Sequence, residues 1–348
     1  MNILIVKTSA IGDVIHTLPA LAALRRTFPD GRIDWLVEEA AADIVSGHPA
    51  LNRLLIARRK SWIRMWKAGD RGRAVREVRR FVRALREVRY DLLIDFQGLL
   101  KSSIWVLFAR AERKVGFGRG MEHAEMSYLF LNERIPAVSM DLHAVERERR
   151  LLRALGVEPG EVDFQVPFSR EDLERARGLV KDAGGDGGLV AINPMTTWPT
   201  KHWLPERFAR LGDRLVESGR TVVFTGGVAD RKGVGEIQLL MRRPAKNLAG
   251  MTSLKELAAL FSLAQAVVTT DTGPMHLAAA VGTPVVALFG PTAPWRTGPW
   301  GANHRVIRLG LPCSPCFKKQ CPHGRPDCME EIDVDEVLAA VGEVCWRI

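Results

Sequence analysis

Val267-Val268-Thr269-Thr270-Asp271-Thr272-Gly273-Pro274-Met275-His276-Leu277-Ala278-Ala279-Ala280 reads as a strand, a sharp turn and a helix. The β-branched run 267–270 predicts a buried strand, and 275–280 is built of strong helix formers. Pro274 suits the first helical position, where a missing N–H does no harm, and Thr272 or Gly273 stands where an N-cap belongs. Such a turn aims free backbone N–H groups and the positive end of a helix dipole at one point, which suits a phosphate. An ordinary βα turn has the same look, so this segment alone leaves both readings open.

Outward from this turn, the second half of the chain alternates elements. Strands are expected at 189–193, 221–225 and 284–288, with helices at 205–218, 231–241 and 253–264. The first half has the same rhythm, with strands at 2–7, 33–37, 53–56 and 92–95. Its helices fall at 14–27, 40–45, 101–109 and 140–155, the last ending at Gly156. The expectation is an α/β fold with two doubly wound parallel sheets. The rhythm restarts after the loop Gly184-Gly185-Asp186-Gly187-Gly188, so the break lies between Val166 and Gly188. The domains are expected at 1–170 and 185–330, with 331–348 a C-terminal helix packing back across the cleft between them. A ligand belongs in that cleft, at the carboxyl ends of the strands. No G-x-G-x-x-G follows the first strand, which argues against a dinucleotide-binding oxidoreductase.

A length of 348 residues favours two domains, and no apolar run is long enough to cross a membrane. The N-terminus lacks the basic start and cleavage site of a signal peptide, so a cytoplasmic protein is expected. The net charge of +10 is concentrated: between Arg53 and Tyr90 fourteen Lys or Arg face three acids, leaving the remainder near −1. Val75, Val78, Val82, Leu85 and Val88 recur at helical spacing there, predicting an amphipathic helix with a wet arginine face. That face is either simply solvated or a docking surface for an anion. Trp62 and Trp66, beside Arg58, Arg59, Lys60 and Arg64, fit a core or a lipid interface. A nucleic-acid-binding protein is the rival reading of this charge; against it, no finger, helix-turn-helix or RNP-type motif is visible. Cys313, Cys316, Cys321 and Cys328, with His323 among them, permit a small structural zinc site or a reduced loop cluster without metal.

Candidate chemistry gathers at strand ends. The first strand runs into Thr8-Ser9-Ala10-Ile11-Gly12-Asp13, where Asp13 is either a helix cap or a general base. Strand 189–193 runs into a loop carrying Thr196, Thr197 and Lys201, a plausible phosphate clamp, while Trp203 is expected to pack. Strand 221–225 ends in Gly226-Gly227-Val228-Ala229-Asp230, a flexible turn where a nucleoside fits.

The runs 7–20 and 271–276 resemble signatures of the ADP-heptose:lipopolysaccharide heptosyltransferases, glycosyltransferase family nine. The runs 33–39, 94–102 and 143–147 resemble the branch of that family that adds the first heptose. The resemblance implies a GT-B fold, two Rossmann-like domains with parallel sheets facing a central cleft. It implies inverting transfer of heptose from ADP-heptose to a Kdo residue of the lipid A inner core, with addition of the second heptose as the alternative. Asp13 then matches the catalytic base and Lys201 the lysine on the diphosphate, with Thr196 and Thr197 in the same loop. Asp271, Thr272, Gly273 and His276 match the donor turn, and Met251 a position near the adenine. Where the family carries a ribose-binding glutamate this chain has Val228-Ala229-Asp230, which makes Asp230 the candidate. Ser9, Gly12, Arg58, Arg59, Lys60 and Arg64 are the acceptor-side candidates. No metal or other cofactor is expected in catalysis, since Lys201 and the N–H groups after Asp271 take the charge of the leaving ADP. The expected partners are ADP-heptose, Kdo-lipid A and the anionic inner membrane, with no nucleic acid, for a monomer peripheral on the cytoplasmic face.

Overall fold

A computed structural model describes residues 1–122, 125–181 and 187–345. The chain divides into two compact units, Met1–Pro167 and Phe168–Ile348. Most of the glycine loop 184–188 and the last residues of the expected C-terminal helix lie outside the described residues.

The first unit runs β1 (Asn2–Val6), α1 (Ile11–His16), α2 (Leu18–Thr27), β2 (Arg32–Glu38), α3 (Ala42–Val45), β3 (Arg53–Ala57), α4 (Arg59–Lys67), α5 (Arg71–Arg86), β4 (Tyr90–Asp95), α6 (Leu100–Phe108), β5 (Ala111–Phe117), β6 (Glu133–Ile135) and α7 (Ala144–Ala154). Its six parallel strands lie in the order β3-β2-β1-β4-β5-β6. The order reverses direction between β1 and β4, so the loops leaving those two strands part and open a crevice at their carboxyl ends.

The second unit runs α8 (Arg170–Val180), β7 (Leu189–Asn193), α9 (Pro205–Glu217), β8 (Thr221–Phe224), α10 (Arg231–Leu240), β9 (Lys246–Asn247), α11 (Leu254–Ser262), β10 (Ala266–Thr270), α12 (Gly273–Ala280), β11 (Val285–Leu288), α13 (Pro294–Thr297), β12 (Arg305–Ile307), α14 (Asp327–Glu330) and α15 (Val334–Cys345). Its sheet is again parallel, in the order β12-β11-β10-β7-β8-β9. The three strands whose ends carry candidate chemistry, β10, β7 and β8, are neighbours, and the reversal falls between β10 and β7. Helices cover both faces, which is why β7 and β10 are buried along their whole length.

Several elements depart from the sequence expectation for identifiable reasons. The single basic helix is two, broken where Gly69 adopts a φ of +88° and Asp70 accepts the Arg73 N–H at 3.3 Å. Its buried residues are Ala74, Phe81 and Leu85; of the expected stripe Val78, Val82 and Val88 pack half-buried beside them, and Val75 alone is exposed. The helix expected over 14–27 divides at Thr17, with Pro19 in the first turn of the second piece. Helix α7 starts at Ala144 and not at Met140, because His143 Nδ1 caps it by accepting the Val145 N–H. The helix expected over 40–45 is a 3₁₀ turn at Glu39–Ala41 followed by α3. The strands β5, β6, β9 and β12 were not foreseen: β6, β9 and β12 are sheet edges of two or three residues, and β5 opens on the charged run Glu112-Arg113-Lys114. Helix α8 was also missed, although Ser169 and Asp172 form a capping box in plain view.

Helix α15 completes the second unit's own core, with Val334, Val337, Ala340, Val341 and Val344 buried beside Phe208, Phe224 and Val286. Trp203 packs as expected, its indole N–H donating to Ile332 O at 3.0 Å. Of the two tryptophans offered as core or lipid contacts, Trp62 is core, stacked with Phe81 and Trp105, whereas Trp66 is exposed. No helix among the described residues is long and apolar enough to cross a membrane.

Candidate active site

In the first unit, β1 and β4 deliver their carboxyl ends side by side at the reversal of the sheet. The β1 loop is pinned by Gln97, whose side-chain oxygen accepts the Thr8 and Ser9 N–H groups, both at 2.9 Å. Ser9 Oγ accepts from Lys101 Nζ, and Gly12 is buried inside α1. Asp13 also lies in α1, where its Oδ2 accepts the Ala10 N–H at 2.8 Å. The capping geometry is therefore present, yet Asp13 still lines a cavity of about 270 Å³ together with Lys7, Asp95, Gln97, Arg147 and Glu148. A cap bond occupies one carboxylate oxygen and leaves the group able to take a proton.

The floor of this cavity is a buried ionic cluster that sequence reasoning missed. Lys7 Nζ donates to Glu148 Oε1 at 2.8 Å and to Phe96 O at 3.0 Å. Thr17 Oγ1 lies 2.9 Å from the same Glu148 oxygen and 3.0 Å from the Asp13 carbonyl, which ties α7 to the helix carrying Asp13. Burial pulls the Lys7 ammonium down, but the Glu148 and Asp13 carboxylates outweigh it and hold it above lysine's ordinary value. Burial pushes Glu148 up, against the opposing pull of Lys7 and Thr17. Asp95 is pushed up to about 6 by burial, although its Oδ1 accepts the Gln97 and Gly98 N–H groups. Asp95 Oδ2 and Glu148 Oε2 have no hydrogen-bond partner among the described residues. One signal was available: Glu148 interrupts the apolar stripe Val145, Leu151, Leu152 of an amphipathic helix, and a carboxylate there needs a buried partner.

Arg58, Arg59, Lys60 and Arg64 do not line this cavity. They gather at and after the start of α4, where Arg59 Nε pairs with Glu38 Oε1 at 2.8 Å and Arg64 Nη2 reaches Ser61 Oγ at 3.3 Å.

In the second unit Lys201 closes a 3₁₀ turn after β7, and Asp271 follows β10. The fold brings them together: Lys201 Nζ lies 2.6 Å from Asp271 Oδ2, with both side chains largely buried. Thr292, which the sequence did not single out, donates its hydroxyl to the same oxygen at 2.7 Å. The Lys201 ammonium also sits 4.5 Å from the centre of the Trp198 ring. A lysine held on one side by a carboxylate and on another by an indole has a fixed position and N–H groups to spare for an oxyanion. Thr272 is the extended N-cap of α12, Gly273 and Pro274 open its first turn, and His276 is buried one turn in. Thr197 is exposed and Thr196 half-buried, its carbonyl bonded to His202 Nε2 at 2.8 Å. Asp230 turns back on its own loop, its Oδ2 accepting the Gly227 N–H at 2.7 Å. Met251 is an exposed side chain past Gly250, whose carbonyl accepts from Arg231 Nη2 at 3.0 Å.

The cysteine segment, with Cys313, Cys316, Cys321 and Cys328, follows β12. Among the described residues no three His, Cys, Asp or Glu side chains stand together as a metal set, and all five cysteines are free. Cys313, Cys316, Cys321 and Cys328 line one cavity together with His323; Cys313 is exposed, Cys328 is buried against the core, and Cys321 Sγ is turned to Arg325 O at 3.0 Å. The segment works as a strap: Cys316 and Phe317 N–H donate to Pro291 O, Ser314 Oγ donates to Gly290 O, and Thr200 Oγ1 donates to Lys318 O. These bonds hold the loops of Thr292 and Lys201 from behind.

Comparison with known proteins identifies the family. A sequence profile described as glycosyltransferase family 9 (heptosyltransferase) matches residues 78–325. The chain is 36% identical over 329 residues to lipopolysaccharide heptosyltransferase 1 of Pseudomonas aeruginosa, covering 93% of this chain and 88% of that one. It is 32% identical to the Escherichia coli protein of the same name, over 88% of this chain and 93% of the other. A lipopolysaccharide heptosyltransferase 2 from Salmonella typhimurium is 29% identical, with 89% and 88% covered. Among solved structures, E. coli heptosyltransferase WaaC with ADP superposes at a TM-score of 0.79 with 28% identity, over 99% of this chain and 100% of that one.

Proposed function

This chain belongs to glycosyltransferase family 9, the heptosyltransferases, and on that premise we propose how its GT-B fold performs the transfer. The enzyme moves L-glycero-D-manno-heptose from ADP-heptose to Kdo of the lipopolysaccharide inner core, adding the first heptose. The observation that carries the choice of acceptor is the likeness to proteins named heptosyltransferase 1 over nearly the whole chain, at 36% and 32% identity against 29% for a heptosyltransferase 2.

In the proposed mechanism Asp13 accepts the proton of the Kdo hydroxyl as that oxygen attacks the anomeric carbon from the face opposite the diphosphate. The new C–O bond forms while the bond from the anomeric carbon to the phosphate oxygen breaks, inverting the centre. The electron pair leaves with ADP, and its growing charge meets Lys201 and the first N–H groups of α12. Asp271 and Thr292 hold Lys201 in place before the donor arrives, so little reorganisation remains for the reaction itself. This assignment gives the leaving-group charge to protein donors and calls for no metal ion. Binding of the adenosine falls to the loops of Asp230 and Met251, with Arg231 bracing the second. The enzyme works as a monomer on the cytoplasmic face of the inner membrane, where its acceptor is embedded.

The test is an assay with ADP-heptose and two acceptors, Kdo-lipid A and its mono-heptosylated form. Transfer to the first alone supports the reading. Transfer to the second alone would make this the enzyme of the second heptose, and transfer to neither would remove the function.

A further inference from the structure

Helix α6 is inverted for a helix on the surface of a water-soluble unit. Its inward side carries Ser102 and Ser103, both buried, beside Trp105 and Val106. Leu100, Ile104, Leu107 and Phe108 recur at spacings of four, seven and eight residues, which places them on one stripe, and all four are exposed. The serines are satisfied within the helix, both hydroxyls donating to Leu99 O, so nothing forces the leucines outward to accommodate them. The 3₁₀ turn Ser127–Phe130 packs against α6 and adds Leu129 and the preceding Met126, each 57% exposed. Six large apolar side chains thus share one face, more than the scattered singles of an ordinary surface.

Two neighbours of this face indicate what covers it. Helix α5 packs against α6 and carries seven arginines against one glutamate. Helix α4, packed on α5, adds exposed Trp66 and Ile63 among its own cations, with the Arg71 guanidinium 5.4 Å from the Trp66 ring centre. Gln97, Gly98 and Leu99, which lead directly into α6, line the cavity that holds Asp13. An apolar stripe flanked by arginine matches a surface that is anionic at the headgroups and apolar beneath them.

We propose that the exposed stripe of α6, with Met126 and Leu129, is a membrane-docking face that enters an anionic bilayer surface while the α4 and α5 cations hold its headgroups. The proposal gives α6 the lipid contact that the sequence had offered, as the alternative to a core role, to Trp62 and Trp66, and it rests on the reading that the acceptor is lipid-borne. Docked this way, the unit meets its acceptor at the edge of the cavity without extracting the lipid from the bilayer.

Flotation of the full-length enzyme with vesicles of phosphatidylethanolamine and phosphatidylglycerol, and separately with phosphatidylcholine alone, tests this without any acceptor. The wild type should float with the anionic vesicles and much less with the neutral ones. Ile104→Glu/Leu107→Glu should lower its partition about tenfold or more, and the milder Ile104→Gln/Leu107→Gln should lower it in the same direction. Both variants should transfer heptose to de-acylated acceptor at the wild-type rate and lose rate only on vesicle-embedded acceptor. Unchanged flotation of the charged variant overturns the proposal, as does an equal loss of rate on both acceptors. A dimer in the wild type that the charged variant dissolves, with flotation unchanged, would assign the face to a second copy of the chain. Wild-type flotation without transfer to either acceptor would leave the docking face standing and remove the proposed function instead.

Discussion

In the first unit the Lys7–Glu148 pair lies under a cavity where two carboxylate oxygens, Asp95 Oδ2 and Glu148 Oε2, have no hydrogen-bond partner among the described residues. In the second unit Lys201, Asp271 and Thr292 converge on one oxygen at 2.6 and 2.7 Å, and a strap of the following segment backs them. Both sites stand at the same place in their sheets, where the strand order reverses. The same topology therefore supports opposite electrostatic designs. A site that accepts a proton gains from spare acceptor capacity and a low-dielectric floor, which keep a carboxylate responsive to its surroundings. A site that meets a highly charged leaving group gains from a cation fixed in advance.

The contrast breaks most sharply at Asp13. Asp13→Asn should lower kcat by about 100-fold or more, the usual loss of a general base, with little change in melting temperature. Turnover near normal would reduce Asp13 to the cap that its bond with Ala10 already makes it. Next comes the floor of the cavity: Lys7→Met strands a buried Glu148 and should destabilise the protein by about 3–5 kcal/mol. Adding Glu148→Gln should return much of that loss in urea unfolding, and strict additivity of the two changes would deny the coupling.

In the second unit Lys201→Ala should weaken ADP binding and slow transfer together, each by roughly tenfold or more, with part of the loss recovered in Lys201→Arg. A change in rate with ADP affinity untouched would sharpen the role of Lys201 to the transition state alone. The smallest effect concerns pH. Burial raises Asp95 to about 6, above its unfolded value, so the folded state favours the protonated carboxyl. Its contribution is present in full below about pH 4 and is lost as pH rises to about 6. Asp95→Asn should flatten that part of the stability curve, and an unchanged slope would place the titrating group elsewhere.

Much of this arrangement was legible before folding. The β-branched runs, the turn at 271–274 and Asp13 after the first strand gave two α/β halves with chemistry at their strand ends, because such patterns are local and periodic. The basic stretch was legible as charge but not as shape. Gly69 and Asp70 divide it, and of the apolar stripe read from spacing Leu85, Val78, Val82 and Val88 pack against the core while Val75 faces out and Phe81, unread, is buried.

The sequence by itself determined the element types, the parallel sheets and the residues standing at each strand end, since strand, turn and helix preferences act within a few neighbours. Only the tertiary structure decided which distant groups meet: Lys7 with Glu148 across 141 positions, Lys201 with Asp271 across 70, Thr292 with Asp271 across 21. It also decided that α6 turns its serines inward and its leucines outward. Such choices follow from strand order and from what each helix packs against, and no local preference of the chain encodes them.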